Sequence, residues 1–138
     1  MTEVKQRYEG IQTILKACGD EGCHFLTLCT IAEEAIHRPL DLIDTIHLLQ
    51  SKKLMTSDFF VNDDGTKVLS LLTDGKKWTR KDVEKLPPIG DNDYTEAIYF
   101  NPRTQLRHYR RRYMDTLKYS VTVEEGYIES YRIYTVHD

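Results

Sequence analysis

The chain has little of what usually announces a specialised class of protein. It holds three cysteines, four prolines, seven glycines and one tryptophan in 138 residues. The cysteines are odd in number and crowded between positions 18 and 29, which does not make the framework of a disulfide-stapled secreted domain. A reducing cytoplasm is the expected setting. No run of about 18 apolar residues exists, so no membrane-spanning helix is expected. The polar start MTEVKQRYEG lacks the apolar segment of a secretory signal. An excess of one charge is missing too: 19 Lys and Arg stand against 22 Asp and Glu, for a formal charge of −3. Such a balance gives no global attraction to nucleic acid or to an anionic membrane, so contact of that kind must come from a local patch. There is no nucleophile elbow, P-loop or dinucleotide fingerprint. The acidic pairs Glu33-Glu34, Asp63-Asp64 and Glu124-Glu125 are chain neighbours whose side chains diverge. Nothing in these features leads to an enzyme.

What is present is an ordinary globular composition, 40% hydrophobic and 30% charged, enough for one core. Val4, Tyr8, Ile11, Leu15 and Cys18 recur at helical spacing, and Gly19 and Gly22 are placed to end that first helix. A second helix is expected from Thr27 as N-cap, with Leu28, Ile31, Ala32, Ala35 and Ile36 as its apolar stripe. After Pro39 a third helix puts Leu42, Ile46 and Leu49 on one face. In TSDFFVNDDGTKVLSLLT two β-prone runs flank an Asn/Asp/Gly cluster of the kind that closes a hairpin. DGKKWTRKDVEKL reads as a charged helix. PPIGDND then marks a boundary between a domain of residues 1–88 and an extension of residues 89–138. That extension holds all but one of the nine tyrosines. In it NPRTQLRHYRRRYMDTLKY predicts a helix capped by Asn101. YSVTVEEGYIESYRIYTV predicts two strands around Glu125-Gly126. The extension is expected to pack on the first part or to mediate dimerisation.

The stretch LTLCTIAEEAIHRPLDLIDTIHLLQSKKLM resembles the helix 2–turn–helix 3 core of the winged helix-turn-helix superfamily, the fold of many bacterial and phage transcriptional regulators. Ile31-Ala32 falls where such proteins carry the apolar-Ala pair of helix 2. Leu42, Ile46 and Leu49 fall at the buried positions of helix 3, and Leu54-Met55 where the chain enters the wing. LSLLTDGKKW is similar to the stretch that follows the wing. The resemblance spans about residues 4–86 and rests on spacing and common residue types. It implies an α+β winged helix, here with a C-terminal helix and β-hairpin, acting as a small cytoplasmic regulator that binds double-stranded DNA as a homodimer. Thr45, His47, Ser51, Lys52 and Lys67 would lie around the third helix and wing.

Positive charge concentrates elsewhere. Arg103, Arg107, Arg110 and Arg111 fall on one stripe if their segment is helical, and arginines interleaved with tyrosines suit phosphates and bases. The opposite reading starts from the outward face of the third helix, where Leu40, Asp41, Asp44 and Leu48 suit a protein surface better than a duplex. On that reading the winged helix is a protein-interaction module without DNA binding. Cys18, Cys23, His24 and Cys29 raise the thought of a zinc site, but Cys18 lies on an apolar stripe and buried cysteine commonly acts as a small hydrophobe. No metal or cofactor is expected.

Overall fold

The computed structural model describes residues 21–111 and 121–137, so the expected first helix and all of MDTLKY lie outside the described residues. The fold is α+β. Its elements are α1 (Glu21–Ile36), α2 (Leu42–Ser51), α3 (Thr66–Leu72), β1 (Lys77–Val83), β2 (Asp93–Asn101), β3 (Leu106–Arg111), α4 (Val121–Glu125) and β4 (Tyr127–His137). The strands form one antiparallel sheet in the order β1-β4-β2-β3. Because β1 pairs with β4 along its whole length, the sheet runs across the expected boundary at residues 87–93. No helix among the described residues is long and apolar enough to cross a membrane.

The centre of the core is α1. Every side chain from Phe25 to Ala32 is buried, and a helix buried all round belongs inside a domain, not on its surface. This moves the expected helix start. Thr27 is no N-cap; it lies within α1, and its hydroxyl donates to the carbonyls of Cys23 (2.9 Å) and, across the packing interface, Tyr109 (3.3 Å). Gly22 likewise falls inside the helix instead of ending one.

Helix α2 matches its sequence pattern, with Leu42, Ile46 and Leu49 buried at helical spacing. It starts at Leu42, where Asp41 accepts the Asp44 N–H at 2.9 Å as the N-cap, so Pro39 lies ahead of the helix and not at its first position. It ends with Lys53 in the left-handed region (φ 60°). The Lys53 N–H donates to the Gln50 carbonyl (3.1 Å) and the Leu54 N–H to that of Leu49 (2.9 Å), the pairing of a Schellman motif.

Four expected elements differ, each for a local reason. The wing hairpin reduces to an isolated bridge between Met55 and Val61, and its second run is helix α3. Here NDDG opens a helix instead of closing a hairpin. Asp63 accepts the Lys67 N–H (2.9 Å) and Asp64 that of Thr66 (3.0 Å). Gly65 takes a φ of 95° with Tyr134 and Leu28 so near that a Cβ would sit 3.1–3.3 Å from them. KWTRKDV is a strand, β1, anchored by buried Trp78, whose indole N–H donates to Thr73 Oγ1 at 2.9 Å. Its lysines suit an edge strand. Asn101 caps no helix: its side chain accepts the Arg103 N–H (2.9 Å) in the turn that folds β3 back on β2. The residues before Glu125-Gly126 form helix α4, and the expected second strand there is β4.

Register then sets up the site. Glu96 faces Arg132 and Ile98 faces Tyr109. By strand alternation Glu96, Tyr109, Arg132 and Tyr134 all project toward α1.

Candidate anion-binding cavity

An acidic side chain stands in the middle of that face. Glu96 is fully buried, on strand β2 between β4 and β3. Its carboxylate accepts from His24 Nδ1 (2.7 Å) on α1 and from the Tyr134 hydroxyl (3.0 Å) and Arg132 Nη1 (3.4 Å) on β4. A buried charge persists when it is paired and its lone pairs are used, and three donors from two elements meet that need. Burial pushes the Tyr134 phenol well above its ordinary range, and the neighbouring Glu96 charge adds to this. Tyr134 therefore remains a donor to Glu96.

This carboxylate fixes the direction of two side chains. Against a carboxylate, His24 Nδ1 serves as the donor, which leaves Nε2 as the nitrogen for other partners. The His24 ring lies 5.3 Å from the Tyr109 ring, and the Arg132 guanidinium stands 5.1 Å above that same ring. Burial raises the Tyr109 phenol above its ordinary value, so it too stays protonated. His24, Tyr109 and Arg132 line a cavity of about 470 Å³, together with Arg80, Arg107 and Gln105. Phe60, Val61 and Leu106 supply apolar wall, and Asp63 is the one acid on the lining among the described residues. A volume of this size suits a small molecule held by a few polar groups.

The arginines differ in what they have left to give. Arg80 grips Asp82 through two nitrogens (2.8 and 2.9 Å) and donates its third to the Asp64 carbonyl (2.8 Å). Arg107 grips Glu129 through two (3.0 and 3.1 Å). Arg132 has a single long bond to Glu96, and its side chain is 19% exposed. Among the described residues it is the cavity arginine with the most donors uncommitted, and the one aimed by a buried partner.

The residues expected to hold DNA are dispersed. Thr45 is buried, its hydroxyl donating to the Asp41 carbonyl at 2.7 Å, which removes it from any outer surface. His47, Ser51 and Lys52 are exposed along α2, and Lys67 is exposed on α3. The arginine stripe does not form, because 106–111 is a strand. Arg107 and Arg111 project to one face and Arg110 to the other. Arg103 donates to Glu125 (2.8 Å) and Arg111 to Glu34 (2.7 Å). Arg110 stands 5.6 Å over the Tyr99 ring. Of the alternative interaction set, Leu40 packs partly buried against the core and Asp41 is spent as a helix cap. Asp44 and Leu48 remain exposed, beside Ile43. Cys23 and Cys29 are buried thiols, and Cys18 lies outside the described residues.

Sequence reasoning missed Glu96, Arg132, Tyr134 and the pairing of His24. A signal existed in DYTEAIYF, where one glutamate interrupts a strand otherwise fit for burial. A charge in such a place implies a partner.

Comparison with known proteins adds no family. No protein-family model, curated protein or solved structure matches this chain.

Removing Glu96 strands Arg132 and His24. Glu96→Ala is expected to lower unfolding stability by about 3 kcal/mol, the lower end for breaking a buried pair because both partners keep some solvent contact. Glu96→Gln, which keeps an acceptor oxygen, costs less. Urea denaturation of both variants measures this, and a loss under about 1 kcal/mol for the alanine variant contradicts the network.

Proposed function

We propose that this protein binds a small organic molecule carrying an oxyanion, held in the cavity between α1 and the sheet. One observation carries the reading: a fully buried carboxylate aims both His24 and Arg132 at one cavity. Preorganised polar groups of this kind cost little ordering on binding, which is where affinity is gained. The oxyanion sits against Arg132 and the Tyr109 hydroxyl, while His24 Nε2, an acceptor when Nδ1 carries the proton, is left for a donor group of the ligand. The apolar part of the ligand lies on Phe60, Val61 and Leu106. Charge-assisted bonds in a partly enclosed site are stronger than neutral ones, so these contacts set both affinity and orientation.

Isothermal titration with benzoate, phenyl phosphate and phenylalanine tests this. Saturable binding by one or more of them is expected, weakened about tenfold or more in Arg132→Gln. No saturable binding, or binding indifferent to Arg132→Gln and His24→Gln, overturns it.

A second reading keeps the winged-helix, DNA-binding regulator, in which two copies pair to reach two half-sites. The observation that favours it is the exposed row His47, Ser51 and Lys52 on α2, whose buried positions fit a recognition helix. It predicts duplex binding at about 50 mM salt that weakens steeply as salt rises and is reduced by Lys52→Ala. No mobility shift of mixed duplex at that salt removes it. On the same helix, Ile43, Asp44 and Leu48 support the rival use as a protein-interaction surface.

A further inference from the structure

The charges around the cavity say more about its ligand than the presence of arginine does. Arg80 is matched by Asp82, Arg107 by Glu129 and Arg132 by Glu96, so each guanidinium already has a carboxylate of its own. Asp63 lines the same cavity, and among the described residues no arginine or lysine side chain is paired to it. Its Oδ2 accepts the Lys67 backbone N–H at 2.9 Å, and its Oδ1 is buried with no hydrogen-bond partner among the described residues. The described side chains around the site therefore sum to about one net negative charge with His24 neutral, and to none with His24 protonated. A dianion entering it would meet a carboxylate wall with no surplus of positive charge to balance two negative ones. Like charge placed at short range in a poorly solvated space is costly.

We infer that the cavity selects an amine-bearing organic acid with an apolar body, its oxyanion on Arg132 and Tyr109 and its ammonium compensating Asp63. This rests on the oxyanion-binding reading of the same cavity and names the class of ligand. A ligand of no net charge leaves the charge of the site as it was. It also gives Asp63 a cation that the described residues do not provide. The apolar wall of Phe60, Val61 and Leu106 then distinguishes apolar amino acids or short peptides from small polar ones. Volume agrees, since about 470 Å³ accommodates a molecule of one or two residues in size.

The test compares zwitterions with counterparts that lack the cation, by isothermal titration on the full chain. L-phenylalanine is paired with 3-phenylpropionate, and glycyl-phenylalanine with N-acetyl-phenylalanine. In the parent protein at least one zwitterion is expected to bind about tenfold or more tightly than its amine-free partner. In Asp63→Asn that preference disappears; the asparagine oxygen still accepts the Lys67 N–H, and circular dichroism checks that the variant is folded. If both amine-free acids bind the parent as tightly as the zwitterions, the inference fails while the oxyanion reading stands. A preference that survives in Asp63→Asn also overturns it. If none of the four binds, the inference fails, and the oxyanion reading falls with it only when benzoate and phenyl phosphate also show no binding.

Discussion

The buried carboxylate of Glu96 is the constraint around which the rest of this structure is arranged. It is accessible to no solvent, so its charge must be met by the protein, and the donors that meet it come from α1 and β4. That requirement ties the core helix to the sheet at a fixed height and rotation. An apolar contact would hold the two together without specifying either. A single acid thus does two things: it sets the docking of α1, and it turns His24 and Arg132 toward the same cavity.

The surroundings make this arrangement tolerable. The buried run Phe25–Ala32 gives α1 apolar contact on all sides, which supplies the stabilisation that a buried ionic cluster by itself does not. The sheet order β1-β4-β2-β3 puts Glu96 on an inner strand beside Arg132. It leaves β3 at an edge, where Thr27 ties the Tyr109 carbonyl to α1. Tyr109 is in this way fixed at the backbone and packed at the ring, between His24 and Arg132. The cavity is built from elements far apart in the chain, and loops supply only its outer wall.

Much of the helical half was legible in the sequence, and most of the sheet was not. Leu42, Ile46 and Leu49 are buried at the spacing that predicted α2, because a half-buried helix writes its period into the chain. Helix α1 hid its start, since a helix buried all round has no polar face to mark its limits. NDDG reads as a hairpin turn and Asn101-Pro102 as a helix start, but the same side-chain-to-backbone bonds serve helix starts and turns alike. In both places the wrong partner was assigned. The arginines of 106–111 fall at helical spacing and so predict a helix, while the pairing that makes the run a strand is with β2 and does not appear in the local pattern. The site was less legible still. Glu96, Arg132 and His24 come from three parts of the chain, and no spacing rule connects them.

The account stands on Glu96 holding His24 by its Nδ1 nitrogen. Long-range proton–nitrogen NMR on labelled protein reads this directly, at a pH where the imidazole is neutral. The expected spectrum shows His24 in one tautomer with the proton on Nδ1, as a ring donating to a buried carboxylate must be. A spectrum with the proton on Nε2, or the averaged signal of an imidazole exchanging freely between tautomers, would contradict the arrangement on which the cavity depends.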